Sequence, residues 1–229
     1  MIMKDIGNLH PITIYFREVL KIFEDLGFEI YLSPEVDTEW NNFDAVNVPS
    51  DHPSRDVQDT FWLTDGRVLR THTSNGQVRA GKEKTPPIRV VIPGRCFRNE
   101  STDTRHETTF YQLECLYIDK AVNISNLFWT LDYFIKKMYG DDIKIRRRPH
   151  HYSFVEPGFD IDIWFRGKWL EVLGSGMVHP KVLKNMGIDS KKYSGFAFGV
   201  GIDRMVMLKY GIEDIRQFYS GDLRFLKQF

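Results

Sequence analysis

Arg95-Cys96-Phe97-Arg98-Asn99-Glu100, a polar loop over residues 101–109, and Phe110-Tyr111-Gln112-Leu113-Glu114 form the stretch whose reading decides the fold. An arginine and a carboxylate end one β-like run, and the returning run alternates in period two, so the unit reads as a hairpin. Residues two apart in a strand share a face, which groups Arg98 with Glu100, and Phe110 with Gln112 and Glu114. A guanidinium grips phosphate bidentately, an aromatic ring offers a stacking surface, and a Gln/Glu pair can hold an ammonium group. That set suits a nucleotide beside an amino acid. The same spacing also suits a solvated hairpin with ordinary surface charges.

Composition narrows the choice. At 229 residues the chain is long enough for one large domain with a substantial core. Its 31 basic and 31 acidic residues exclude a polycationic nucleic-acid glove, so any contact with nucleic acid comes from local patches. Cys96 and Cys115 lack metal-site spacing and lie in runs that read as buried strands, which points to reduced core thiols and a cytoplasmic compartment. Met1-Ile2-Met3-Lys4-Asp5 is too short and too charged for a signal peptide, and no stretch approaches a membrane span.

Toward the N-terminus, Pro11 opens a helical pattern with Ile12, Phe16, Val19, Leu20, Phe23 and Leu26 on one stripe, ended by Gly27. Residues 28–33 alternate as a strand that stops at Pro34. Residues 36–59 are polar and turn-rich and read as loops, with His52, Asp56 and Asp59 as turn caps rather than metal ligands. Phe61-Trp62-Leu63, the Asp65-Gly66 turn and residues 68–74 read as a hairpin that puts His72 and Ser74 on one face. Residues 88–93 then lead into the central hairpin, whose return strand extends to about Ile118.

Toward the C-terminus, Asn123 caps a helix reaching about Tyr139, with Leu127, Leu131, Phe134 and Met138 spaced for burial. Lys144-Ile145-Arg146-Arg147-Arg148 is the one basic cluster, suited to a solvated strand edge, to RNA phosphate or to a partner subunit. Residues 159–165 and 168–173 form a hairpin about Arg166-Gly167, with Asp160 and Asp162 on one face. Glu171, a carboxylate at a strand end, has the chemistry to hold magnesium for a nucleotide. Residues 195–201 lead into a helix over 202–208 with Arg204 in its first turn, where the helix dipole adds to its charge toward an anion. This run is neither a phosphate loop nor a dinucleotide fingerprint. Hairpins alternating with a few helices, without internal repeats, predict a single α+β domain over residues 1–229 built on an antiparallel sheet.

In this order the chain resembles the class II aminoacyl-tRNA synthetase catalytic domains, and among them the α subunits of bacterial phenylalanyl-tRNA synthetases. The likeness runs from Gly7-Asn8-Leu9-His10-Pro11 to Asp222-Leu223-Arg224-Phe225-Leu226-Lys227-Gln228-Phe229. Residues 27–34 resemble motif 1, Phe97-Arg98-Asn99-Glu100 through Phe110 motif 2, and Gly199-Val200-Gly201-Ile202-Asp203-Arg204 motif 3. Narrower signatures accompany them, among them His52-Pro53-Ser54-Arg55-Asp56, Leu69-Arg70-Thr71-His72-Thr73-Ser74 and Trp169-Leu170-Glu171-Val172-Leu173-Gly174.

The resemblance implies an antiparallel sheet of about six strands or more flanked by helices, as in the class II fold. It implies bent ATP, a phenylalanyl-adenylate, and transfer of phenylalanine to tRNA(Phe). It implies that Arg98 grips the α-phosphate, that Glu100 and His106 contact ATP, that Phe110 stacks under adenine, and that Arg204 holds the γ-phosphate. Trp62, His72, Ser74, Gln112 and Glu114 would surround the amino acid's polar end; Phe154, Val155 and Ala197 would line its ring pocket, Ala197 setting the space at the para position. Glu171 would be a Mg2+ ligand. The substrate carboxylate attacks the α-phosphorus in line, so Arg98 and Arg204 are the catalytic groups by charge and positioning, while His72 and His106 only form hydrogen bonds.

Two departures accompany the likeness. Where the family commonly has Phe-Pro-Phe before Val-Glu-Pro-Gly, this chain has Tyr152-Ser153-Phe154, whose hydroxyl either adds polarity to the ring wall or points away from it. The family's α subunit commonly begins with a helical tRNA-binding arm, whereas this chain opens almost at the catalytic domain. The partners implied are phenylalanine, ATP, tRNA(Phe) and either a second copy through motif 1 or a β subunit, without a membrane. The competing reading is a paralogue that keeps the fold to bind an amino acid or nucleotide without catalysis; the presence of Arg98, Arg204, Gln112 and Glu114 favours activation.

Overall fold

The computed structural model describes residues 7–56 and 59–229; Met1-Ile2-Met3-Lys4-Asp5 lies outside the described residues. The first helix, α1 (Pro11–Asp25), starts where Pro11 needs no hydrogen-bond acceptor and the His10 ring accepts from the Ile12 N–H at 3.2 Å. Its buried stripe includes Tyr15, which the apolar spacing leaves out; Phe16, Leu20 and Leu26 are only half-buried. Tyr15 is tolerated inside because its hydroxyl meets that of Tyr139 at 3.2 Å, and Tyr139 in turn donates to the Met205 carbonyl at 3.1 Å.

Gly27, at φ 79°, reverses the chain after α1. The strand expected over 28–33 is reduced to β1 (Glu29–Ile30), which pairs in parallel with the inner strand at Val90 and Val91. It is an edge strand with a neighbour on one side only, and Pro34 brings no N–H to extend it.

The stretch 36–59 is more ordered than its composition suggests. It holds β2 (Val36–Thr38), a one-turn helix α2 (Glu39–Asn42) capped by the Thr38 hydroxyl, and two 3-10 turns at Asp44–Val46 and Pro53–Arg55. Elements this short leave no periodicity to read. His52 does cap its turn, accepting from the Ser54 N–H at 3.2 Å.

The hairpin expected over 61–74 is also corrected. Only one bridge, Trp62 to Val68, spans the Asp65-Gly66 turn; β3 (Arg67–Leu69) pairs with β2 instead. Residues beyond 69 leave the sheet, and Ser74 immediately precedes α3 (Asn75–Glu83). Two glycines hide this helix from propensity. Gly81 is required by packing, since a Cβ there would come within 2.6 Å of the Met186 side chain.

Asp37, buried on β2, fixes α3. It accepts from Arg79 at 2.7 and 2.9 Å, from Asn75 at 2.7 Å and from Asn41 at 2.8 Å. Arg79→Ala leaves that carboxylate with fewer donors and is expected to lower stability by about 1.5–3 kcal/mol, read by urea unfolding.

The main sheet has seven strands in the order β1, β4 (Ile88–Phe97), β5 (Thr109–Asp119), β9 (Ser194–Gly201), β8 (Lys168–Val178), β7 (Val155–Phe165) and β6 (Ile145–Pro149), antiparallel except for β1. On β5 and β9, Leu113, Cys115, Phe196 and Phe198 face one core with α1, α4 (Ile124–Tyr139) and α6 (Ile202–Tyr210). Leu116, Ile118 and Ala197 face the other, with α3 and α5 (Pro180–Asn185). Gln112 and Glu114 have the parity of Leu116 and so project to the α3 side. A short helix α7 (Leu223–Leu226) closes the chain.

Both cysteines are free and buried, and burial pushes the Cys96 thiol up to about 12, which keeps it protonated. The basic cluster forms the edge strand β6. Arg146 and Arg148 pair with Asp162, and Arg147 with Asp132, so its arginines are engaged by carboxylates of the chain itself.

Candidate active site

Between β5, β9 and the approach to α3 lies a cavity of about 650 Å³ lined by Arg98, Glu100, His72, Ser74, Gln112, Glu114 and Phe154. These seven were read from the sequence as site residues. The sheet brings the two strand residues together, and the loop before α3 supplies His72 and Ser74 without the strand expected there.

Glu114 is the centre of this set. It is 1% exposed and accepts from Ser74 Oγ at 2.8 Å, Gln77 Nε2 at 2.6 Å and Gln112 Nε2 at 3.2 Å. Burial pushes its carboxyl up to about 7, and the three donors oppose that rise. Among the described residues this buried carboxylate has neutral donors and no counter-ion, which suits it to a cation entering from the cavity. Gln77 was not legible as a site residue, because the helix carrying it was not. Once α3 exists, the three-residue spacing puts Ser74 and Gln77 on one face.

Gly199 pairs with Glu114 across the β5–β9 ladder, and a Cβ at this position would lie 2.6 Å from Gln112 Nε2 and 2.9 Å from Glu114 Oε2. Gly199→Ala is therefore expected to displace the amide–carboxylate pair and to weaken binding of a primary-ammonium ligand in the cavity roughly ten- to hundredfold, measured by calorimetric titration.

Arg98 sits just past β4, where its N–H donates to the Thr108 carbonyl at 2.9 Å and closes the 101–109 loop. Its guanidinium lies 4.7 Å from the Phe110 ring centroid and donates to the Thr71 carbonyl at 3.4 Å. Among the described residues it has no carboxylate partner. Burial, and then the Arg98 charge, lower His72 to about 4, so this ring is neutral near pH 7. Its Nδ1 is buried and, among the described residues, has no hydrogen-bond partner, in a residue that lines the cavity.

The remaining expected residues do not line this cavity. His106 sits in the loop, 3.0 Å from the Asp103 carboxylate. Phe110 lies under Arg98. Trp62 donates to the Arg55 carbonyl at 3.3 Å and packs, with Val155 and Ala197, in the core behind the cavity. Arg204 lines a second cavity with Arg105 and Arg166. Its neighbour Asp203 has a structural part. It accepts from the Tyr111 N–H at 2.5 Å and from the Tyr219 hydroxyl, locking α6 to β5, and burial pushes its carboxyl up to about 6.

Tyr152 resolves the first departure. It lines the cavity, but its hydroxyl donates to Asp160 at 2.7 Å and its ring stacks on Phe154 at 5.5 Å. His150 and His151 also line the cavity, two residues that no motif singled out.

Glu171 accepts from Arg148 at 3.0 Å and is half exposed. Among the described residues no three His, Cys, Asp or Glu side chains converge to hold a metal ion.

The chain as a whole is similar to known proteins. The family described as tRNA synthetases class II core domain (F) matches residues 2–229. The phenylalanine–tRNA ligase alpha subunit of Clostridium perfringens is 49% identical, over 98% of this chain and 70% of that protein. Those of Leptospira biflexa and Caldicellulosiruptor saccharolyticus are 48% and 46% identical, over 99% and 98% of this chain and 70% of each relative. In three dimensions the chain is similar to the crystal structure of pyrrolysyl-tRNA synthetase from Desulfitobacterium hafniense, with a TM-score of 0.73 at 18% identity, over 94% of this chain and 75% of that one, a likeness of fold.

Proposed function

The chain belongs to the class II tRNA synthetase core-domain family, and within it to the phenylalanine–tRNA ligase alpha subunits; from that premise we propose that its cavity joins phenylalanine to ATP as an adenylate and passes the amino acid to tRNA(Phe). The observation that carries this reading is one cavity shared by Arg98, an arginine without a carboxylate partner among the described residues, and Glu114, a buried carboxylate without a cation. A phosphate answers the first and an α-ammonium the second. The bare paralogue reading is not favoured, since both groups are retained.

In this reading Glu114 holds the ammonium, with His72, Ser74 and Gln112 around the polar end and Trp62 behind it. The ring extends toward Phe154, Val155 and Ala197. Arg98 draws charge from the α-phosphate as the substrate carboxylate attacks, Glu100 and His106 hold ATP, Phe110 supplies the adenine platform, and Arg204 takes the γ-phosphate. No protein nucleophile is needed. Catalysis comes from holding the two reactants in line and from guanidinium charge where negative charge develops. The family uses ATP and a metal in general; magnesium, when bound, would neutralise phosphate charge, with Glu171 its protein ligand only after leaving Arg148.

An alpha subunit implies a beta-subunit partner and tRNA as acceptor. The motif 1 region presents Leu32 at 77% and Ile30 at 42% exposure, an apolar surface suited to a partner. Sedimentation of the chain alone tests self-pairing there. No helix among the described residues is long and apolar enough to cross a membrane. The reading as a whole is tested by ATP–pyrophosphate exchange with a panel of amino acids. Exchange driven by phenylalanine is the expected result; ligand binding without exchange would sink activation.

A further inference from the structure

One transverse row of the sheet crosses the cavity floor. Arg148 on β6 pairs with Asp160 on β7, Asp160 with Gly174 on β8, Gly174 with Gly199 on β9, and Gly199 with Glu114 on β5. Directly paired residues stand on one face of a sheet, so these five share the face that carries Glu114. The row holds a carboxylate on either side of two glycines, and both glycines line the cavity.

The two gaps are filled differently. The one at Gly199 is taken by the Gln112–Glu114 pair. The one at Gly174 is taken by Tyr152, since a Cβ there would lie 2.7 Å from its hydroxyl oxygen and 2.8 Å from the ring carbon that bears it. The phenol thus lies over a cavity-lining residue while it donates to Asp160 Oδ1 at 2.7 Å. Burial, and then the bond to Asp160, raise this phenol above its ordinary range, which keeps it a donor near neutral pH. Asp160 is 2% exposed, and its other oxygen lies 3.2 Å from Arg148 and 3.3 Å from His150 Nδ1.

A buried carboxylate beside a glycine gap is a site for a ring hydroxyl, and here the chain supplies that hydroxyl itself. A ligand phenol lying along the glycine row meets an acceptor already taken, and gives up its water without replacement, a cost that a bare ring escapes. An apolar wall by itself discriminates only weakly against an added hydroxyl. Resting on the reading that the cavity takes an aromatic amino acid with its ammonium at Glu114, we propose that Tyr152, positioned by Asp160, is a specificity-determining residue. Its hydroxyl occupies the acceptor that a para-hydroxylated ring would need, so the cavity selects the unsubstituted ring.

The test is Tyr152→Phe in the full chain, which removes the donor at Asp160 Oδ1 and the oxygen over Gly174 while keeping the ring. Calorimetric titration gives the Kd of L-phenylalanine, L-tyrosine and 4-methyl-L-phenylalanine for wild type and variant. The ratio of tyrosine to phenylalanine affinity is expected to rise about tenfold in the variant, the worth of one hydrogen bond to a buried charged acceptor. The 4-methyl analogue, close to tyrosine in size but without a donor, should show no such gain. A merely structural part for Tyr152 would weaken all three ligands alike and leave the ratios where they were. An unchanged tyrosine to phenylalanine ratio therefore overturns the proposal, and an equal gain for the 4-methyl analogue overturns it too, by assigning the effect to space alone. In both cases phenylalanine still binds and the reading of the cavity stands. A wild-type chain that binds neither phenylalanine nor tyrosine strikes that reading and the proposal with it, so the two failures are distinct.

Discussion

The Arg98→Ala variant is expected to lose phenylalanine-dependent ATP–pyrophosphate exchange by on the order of 10²–10³-fold or more, to the point of abolition, and to remain folded. The size follows from placement. Arg98 is the one arginine in the cavity that holds Glu114, and it has no carboxylate partner among the described residues to weaken its pull on phosphate. In a site that shuts out water, a donor aimed at developing charge is worth several kcal/mol. Its structural contacts are slight by comparison. They amount to one 3.4 Å bond to the Thr71 carbonyl and a stack on Phe110, together worth about 1 kcal/mol or little more. Exchange kinetics with circular dichroism on the same sample separate the two effects, and a folded variant with full activity would end the assignment.

Glu114→Gln is the second large effect. Replacing a buried carboxylate that receives an ammonium by a neutral amide should weaken phenylalanine binding by about 2–5 kcal/mol, roughly thirtyfold in Kd at the least. The wild-type chain should show a matching pH dependence. Glu114 titrates at about 7 in the folded protein against an ordinary 4.5, because burial disfavours its charge. Binding an ammonium requires the ionised form, so affinity should rise with pH through about 7 and be about tenfold better at pH 8 than at pH 6.

Stability runs the other way. The folded state holds the proton that the unfolded chain releases, so this group's contribution is fully present below about 4.5 and lost as pH rises through about 7. Glu114→Gln should flatten both profiles. Calorimetric titration of phenylalanine at several pH values checks the first, and a flat wild-type curve would remove Glu114 from the ammonium site.

How much of this was legible beforehand depends on the range of the interactions involved. The central hairpin, α1, α4 and the β7–β8 pair were readable because each carries its own period or turn over a dozen residues. The order of motifs pointed to the family, and the comparisons bear that out. Helix α3 was not readable. Its glycines answer to Met186 and Ile92, residues distant in the chain, and so its contribution of Gln77 to the site stayed hidden.

The sequence by itself determined the alternation of Gln112 and Glu114 on one face of β5, because strand parity is local. It also determined which residue types the chemistry has to draw on. Only the tertiary structure decided that Glu114 is surrounded by three neutral donors and that the Tyr152 hydroxyl turns to Asp160. It alone decided that the arginines of the 146–148 cluster are matched by carboxylates while, among the described residues, Arg166 and Lys168 are not. A charge's partner is fixed by which strands lie side by side. That is settled when the sheet closes, over separations along the chain that no local pattern records.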